Sequence, residues 1–238
     1  MKTLNVVSPT GCATCGHKLC ARKVQLFSAM NDTQLNTILT LIERKHYKKG
    51  DIILRQGEDF NRLFIINSGG IKASIFGEDG REQILYILNE GDSIGELSLL
   101  KQETTHYDLI ATKPSHLCTI PKESFDEFLR TNPEMMFAIL ESAHERISSL
   151  ERLVSAISSP DADIRLKFLI RQLSEQIGKV TSRGIELTLT LTREDMANFV
   201  GVTRETVSRK LSALSADGLI ELKDQKTLLI LSPDYFDL

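Results

Sequence analysis

The rhythm of hydrophobic positions changes several times along the chain. In "NDTQLNTILTLIERKHY", Leu35, Ile38, Leu39 and Ile42 recur at helical spacing behind Asn31 or Asp32 as N-cap, which predicts one short amphipathic helix. From Tyr47 to about Ile120 the texture becomes one of short apolar runs, "DIIL", "RLFII", "IKASIF", "QILYIL" and "HLCTI". They are punctuated by Gly50, Gly57, Gly69, Gly70, Gly77, Gly80, Gly91 and Gly95. Strand-length runs separated by glycine turns at roughly ten-residue intervals predict an antiparallel sandwich or barrel. "FGEDGREQ" around Gly80 reads as a hairpin turn.

A different period follows. Met136, Leu140, Ala143, Ile147, Leu150, Val154 and Ile157 step alternately by four and three, a sustained heptad seam whose natural use is a parallel homodimer. The competing reading is a helix packed on its own domain, since Leu153 and the Met135/Phe137 pair widen the apolar face. "SSPD" at Ser158 to Asp161 ends this helix and starts the next, with Pro160 expected in the first turn, and it marks a domain boundary.

Towards the C-terminus, "LTREDMANFVGVTRETVSRKLSALSADG" holds two short helices. Thr192 and Asp195 form a variant capping box, Ala197, Phe199 and Val200 a buried face, and Gly201 a break. Thr203 caps a second helix with Val207, Leu211 and Leu214 on one side and Arg204, Glu205, Ser208 and Arg209 on the other. Two short helices about a glycine turn predict a helix-turn-helix, and "LIELKDQKTLLIL" adds two strands as a wing.

Composition narrows the class without naming it. The chain has 238 residues, 41 % hydrophobic and 26 % charged, which suits two compact soluble domains. No apolar run approaches the roughly 18 to 20 residues that span a bilayer, and "MKTLNVVSPT" lacks the h-region of a secretory signal, so a cytoplasmic protein with no membrane partner is expected. A net charge of −3 gives no global sign of nucleic-acid binding, so such binding must come from a local basic surface. Catalysis is not expected: a cupin-like sandwich enzyme needs clustered histidines, and "H-x-H" is absent, with His46, His106, His116 and His144 scattered.

The cysteines are candidate chemistry. Cys12, Cys15 and Cys20 crowd into "GCATCGHKLC", and the fourth, Cys118, stands in "CTIP". In a reducing compartment such spacing points to metal binding or redox activity rather than a disulfide framework. Zinc would accept four thiolates, or three with His17.

The order of parts, with "YKKGDIILRQGE", "SGGIKASIFGEDGREQILYILNEGDSIGELSLL" and "TREDMANFVGVTRETVSRKL", resembles the CRP/FNR superfamily of bacterial transcription regulators over nearly the whole chain. The resemblance implies an α+β architecture. Residues 1–22 would be a cysteine arm, 23–132 a β-roll of the cyclic-nucleotide-binding jelly-roll type, 133–158 the dimerisation helix and 159–238 a winged helix-turn-helix. It also implies a double-stranded DNA operator with two-fold symmetry and RNA polymerase as partners.

Within that family the ligand varies. Members that bind cyclic AMP carry an Arg-Ser pair after the G-E-L block, where this chain has Thr105 and His106, so cyclic AMP is not expected as ligand and Glu96 is expected to serve its turn structurally. The oxygen-sensing FNR branch has C-x2-C-x5-C in its arm and a fourth cysteine before I-P, together holding a 4Fe–4S cluster. Cys12, Cys15, Cys20 and Cys118 are similar, with a C-x4-C second interval. That departure keeps a thiol/disulfide switch and zinc open beside the cluster, as well as a regulator that binds another small molecule and whose cysteines are incidental. In the DNA module, Arg204 and Arg209 are expected on guanine, Glu205 on cytosine, Ser208 on a base or phosphate, and Thr192 and Lys210 on phosphates. In the oxygen-sensing branch an acidic residue near the seam weakens the apo dimer; Leu150 stands at the matching position here.

Overall fold

The computed structural model describes residues 24–237 apart from 29, 98–100, 102 and 225; the arm with Cys12, Cys15 and Cys20 lies outside the described residues. The chain divides into two compact units, Met1–Ala73 with Tyr86–Ser148, and Ser74–Leu85 with Ser149–Leu238.

In the first unit, helix α1 (Asp32–Thr40) starts where the polar cap meets the apolar stripe. Asn31 accepts from the Gln34 backbone N–H and Gln34 reaches back to that of Asn31, a complete capping box. The glycine-punctuated runs become β1 (Glu43–Tyr47), β2 (Ile52–Leu54), β3 (Arg62–Ser68), β4 (Gly70–Phe76), β5 (Glu82–Asn89), β6 (Ser93–Ile94), β7 (Asp108–Ala111) and β8 (Ser115–Pro121), of which the end of β4 from Ser74 and the start of β5 to Leu85 are counted with the second unit. They make two four-stranded sheets, ordered β1-β8-β3-β6 and β2-β7-β4-β5. This is the expected antiparallel jelly roll, in which β8 returns to lie between β1 and β3.

The β1-β8-β3-β6 sheet is covered on both faces. Phe64 and Ile66 of β3 and Leu117 of β8 enter a core shared with Ile71, Ala73, Leu109 and Ala111 of the other sheet. The alternate residues Leu63, Ile65, Cys118 and Ile120 enter a second core built by helices. Those helices are α1 and α2 (Lys122–Thr131), with the first turns of α3 (Met135–Ser158). Helix α2 was not foreseen from the sequence. Phe125, Phe128 and Leu129 form its buried stripe, and Pro121 ends β8 immediately before it.

The second unit begins with the rest of α3 and continues through α4 (Ala162–Ile177), β9 (Gly178–Thr181), β10 (Gly184–Thr188), α5 (Arg193–Val200), α6 (Arg204–Ala216), β11 (Ile220–Leu222) and β12 (Thr227–Ile230). Pro160 does not occupy the first turn of α4 as expected. The Asp161 carboxylate takes the Asp163 N–H as N-cap and the helix starts at Ala162, so proline stands just before the cap. The wing is larger than two strands. β11 and β12 pair as expected, and β12 also pairs with β10, which carries β9, giving the order β11-β12-β10-β9. Within this unit the hairpin residues Glu82 and Gln83 bond α5, through Asn198 Nδ2 to Glu82 Oε2 at 2.7 Å and Gln83 Nε2 to the Phe199 carbonyl at 3.0 Å.

One glycine of the first unit fixes a turn that matters below. Gly95, just after β6, has φ +112°, and a Cβ there would lie 2.3 Å from Phe60 Cε1 and 2.7 Å from the Arg62 carbonyl oxygen. Gly95→Ala therefore combines a left-handed backbone with a backbone clash. It is expected to lower the unfolding free energy of the β-roll by about 1–3 kcal/mol, read by urea denaturation.

Candidate nucleic-acid interface and sensor site

The helix-turn-helix is built from caps. Thr192 Oγ1 accepts the Asp195 N–H and Asp195 Oδ2 takes the Thr192 N–H at 2.9 Å, which starts α5. Gly201 ends it with φ +68°, a left-handed C-cap that opens the turn, and Thr203 starts α6 by accepting the Thr206 N–H. Arg165 of α4 locks that turn. Its Nη1 donates to the carbonyls of Val200 (3.3 Å) and Gly201 (3.0 Å), and its Nε to the Ser159 carbonyl at 2.6 Å. Sequence reasoning did not single out Arg165, because the Val200 and Gly201 carbonyls lie 35 and 36 residues away and only the fold brings them close.

On α6, Val207 and Leu211 are buried, while Arg204, Glu205, Ser208 and Arg209 are exposed. At about 100° per residue these four side chains cover roughly 140° of the helix circumference at its N-terminal end. Such a face offers two guanidinium forks, a carboxylate acceptor and a hydroxyl, the groups that read base edges in a major groove. The two residues expected on phosphates are already engaged. The Thr192 hydroxyl donates to Asp195 Oδ2 at 2.7 Å, and Lys210 Nζ pairs with Asp163 Oδ2 in the first turn of α4. Asp163 sits where the helix dipole favours a negative charge.

Helix α3 carries two apolar stripes. Met135, Ile139, Leu153 and Ala156 are buried within the chain. None of the seven seam positions is buried: Met136, Ala143, Leu150 and Ile157 are partly covered, while Leu140, Ile147 and Val154 remain 59 %, 55 % and 58 % exposed. Of the residues that blurred the seam in the sequence, Met135 and Leu153 thus belong to the inner stripe, and Phe137 lies outside it at 74 % exposed.

Cys118 is 7 % exposed, in the helix-covered core with Ile65, Ile120, Leu35 and Phe128. Val24, Leu26 and Phe27 complete that core, so the chain leaving the arm is packed into the cluster that holds Cys118. Directly across from Cys118 on β1 stands Arg44, whose Nε is buried. The histidines are less scattered than the sequence suggests. His46 and His116 are register partners on β1 and β8 with ring centroids 4.1 Å apart. Among the described residues, no three His, Cys, Asp or Glu side chains gather as a metal site.

Glu96 does more than shape its turn. It is fully buried, and Oε1 accepts from Arg146 Nη2 at 2.7 Å and from Ser142 Oγ at 3.0 Å, both on α3. Arg146 Nη2 also donates to the Ser93 carbonyl at 2.9 Å, and its guanidinium lies 5.4 Å from the Tyr86 ring centroid. Tyr86 meets the Tyr107 ring at 5.8 Å, and burial pushes the Tyr107 hydroxyl up to about 12. Burial likewise raises Tyr86, against the opposing pull of Arg146.

Comparison with known proteins agrees with this geometry. The cyclic nucleotide-binding domain family matches residues 44–132 and the Crp-like helix-turn-helix domain family residues 165–236. Electron transport regulator A of Shewanella oneidensis is 31 % identical over 93 % of this chain and 88 % of its own length. The fumarate nitrate reduction regulatory protein of Klebsiella oxytoca is 29 % identical, covering 82 % of this chain and 78 % of that protein. Among solved structures, FixK2 from Bradyrhizobium japonicum shares the fold with a TM-score of 0.75 at 17 % identity, over 82 % of this chain and 96 % of that one. A β-roll, a long helix and a capped helix-turn-helix in this order, with a relative at this identity over almost the full length, place the chain in the Crp/FNR family of DNA-binding transcription regulators, which are not enzymes.

Proposed function

We propose that the chain is a homodimeric regulator whose operator binding follows oxygen or redox state through a 4Fe–4S cluster held by Cys12, Cys15, Cys20 and Cys118. The observation that carries this reading is the shared core of Cys118 and Val24 to Phe27. Cys20 precedes Val24 by four residues, a span of at most about 14 Å of extended chain, a short link between the arm and the core that holds Cys118. The site suits such a group. Four thiolates are available in the sequence, and the described one sits among Ile65, Ile120 and the α1 and α2 side chains, which limit water. When bound, the cluster supplies a redox-active centre tied at once to the arm and to β8. The names of the relatives, an electron transport regulator and a fumarate nitrate reduction regulatory protein, point to the same physiology.

The α3 seam supports self-association. Three large hydrophobic side chains spaced by seven residues stay more than half exposed in the single chain, while the opposite stripe is satisfied internally. A second copy of α3 in parallel covers them by knobs-into-holes packing. Two copies of α6 about 34 Å apart then meet successive major grooves of a two-fold operator. Arg204 and Arg209 address guanine, Glu205 cytosine and Ser208 a base or phosphate, and RNA polymerase is the partner on which the bound dimer acts.

Three measurements test this. Protein purified without oxygen should contain about four iron and four sulfide per chain, and Cys118→Ser should lose both. Full zinc occupancy instead, or an iron-free disulfide between Cys118 and an arm cysteine, overturns the cluster. Ile147→Asp places a charge in the seam and should give monomers by sedimentation, with operator affinity reduced at least tenfold; a stable dimer would remove α3 as the interface. Arg209→Ala should cost about 1–3 kcal/mol on an operator selected from randomised duplexes and relax one base position. An equal loss on every sequence would make Arg209 a phosphate contact.

A further inference from the structure

The β-roll of this family is matched by a nucleotide-binding domain, yet this chain presents Thr105 and His106 where the phosphate-binding Arg-Ser pair would stand. Thr105 is 4 % exposed and spends its hydroxyl on the Tyr107 carbonyl at 3.0 Å, so it is closed to an incoming phosphate. The arginine of this end of the β-roll comes instead from α3. Arg146 reaches Glu96 at 2.7 Å, is held by the Ser93 carbonyl, and lies over Tyr86. Glu96 is fully buried and the Arg146 side chain is only 16 % exposed, so the ion pair is largely desolvated. Among the described residues Glu96 Oε2 is buried without a hydrogen-bond partner, and Arg146 is the positive charge paired with this carboxylate.

We propose that Arg146 is a built-in substitute for a bound ligand: through Glu96 and Ser93 it ties α3 to the end of β6, so that the seating of α3 on the β-roll is set by the chain itself and not by a nucleotide. The physical reason is the asymmetry of a desolvated pair. With both partners present the charges cancel and the hydrogen bonds are shared; with one removed, a buried charge is left uncompensated and the surrounding structure opens to hydrate it. Lifting α3 from the roll removes both donors and exposes Glu96 to water without unfolding the sheets. Ser142, one turn before Arg146 on the same helix face, donates to the same carboxylate oxygen and so opposes that motion.

A ligand-dependent member would order α3 on binding; here the ordering is permanent, and any signal must act through another element. This inference is independent of the cluster, because it concerns the described residues of the β-roll and α3 alone, and it is tested in iron-free full-length protein. Arg146→Ala should accelerate amide hydrogen exchange of residues 135–148 by more than about tenfold, while the α4 to α6 segment exchanges as in the wild type. Glu96→Gln/Arg146→Met, which removes both charges, should restore most of the melting temperature lost in Arg146→Met alone. Methylguanidinium added at millimolar concentration to Arg146→Ala should restore the slow exchange, whereas methylammonium should not, since only the planar fork reproduces the bonds to Glu96 and Ser93. Cyclic AMP or cyclic GMP should leave wild-type exchange of 135–148 unchanged. Unaltered exchange in Arg146→Ala overturns the proposal, and so does further slowing of wild-type exchange by either nucleotide, which would mean that the site awaits a ligand.

Discussion

Everything in this chain is arranged around one constraint: a single helix, Met135–Ser158, has to satisfy two apolar stripes at once. Met135 and Ile139 are consumed by the core beneath the β1-β8-β3-β6 sheet, and Leu153 and Ala156 are buried further along. Leu140, Ile147 and Val154 then stay more than half exposed among the described residues. The two stripes cannot be exchanged by rotating the helix, because Arg146 and Ser142 fix its azimuth through one buried carboxylate. A hydrophobic stripe can slide by a turn at small cost, but a desolvated ion pair cannot, and so the polar contact gives the helix its register.

The same division of labour recurs in the helix-turn-helix. Burial of Met196, Phe199, Val207 and Leu211 holds the two helices together, but apolar packing does not set where each begins. Thr192, Gly201 and Thr203 set those points, and Arg165 satisfies the carbonyls that the left-handed turn leaves open. The N-terminal end of α6 keeps Arg204, Glu205, Ser208 and Arg209 exposed, outside this packing. It carries two arginines beside the single carboxylate of Glu205 on a chain whose total charge is −3, and a field that decays within about 10 Å depends on such local density, not on the sum.

What was legible in the sequence was local. The caps at Asn31, Thr192 and Thr203 and the glycine break at Gly201 depend on residues within one or two turns of each other, and the structure has them where the pattern puts them; the heptad positions fall within one helix, with Leu140, Ile147 and Val154 exposed. What escaped was either short or distant. Helix α2 offers only Phe125, Phe128 and Leu129, too brief a stripe to distinguish from a strand end. The β9 strand has no apolar alternation, with Val180 88 % exposed, and it exists because β10 is held by β12. Pro160 was misplaced because proline and aspartate both suit a helix start, and the side-chain acceptor took the cap. The His46–His116 contact joins residues seventy apart and follows from sheet register alone.

Glu96 shows why residue identity underdetermines role. Its position after the Gly95 turn is imposed by Phe60 and the Arg62 carbonyl, which leave no room for a Cβ at residue 95, so the β-roll delivers a carboxylate to the same place whatever binds it. A carboxylate so buried must find a donor, and two classes of donor can serve: a ligand that comes and goes, or a side chain that does not. The choice is made fifty residues later in the sequence, on α3, by whether an arginine stands on the face that looks at β6. Cys118 lies away from this carboxylate, on the helix-covered face of the sheet, in a core shared with Val24, Leu26 and Phe27. The two faces of one sheet thus enter different cores, Cys118 on the helix-covered side and Leu117, its neighbour on β8, in the core shared with the other sheet.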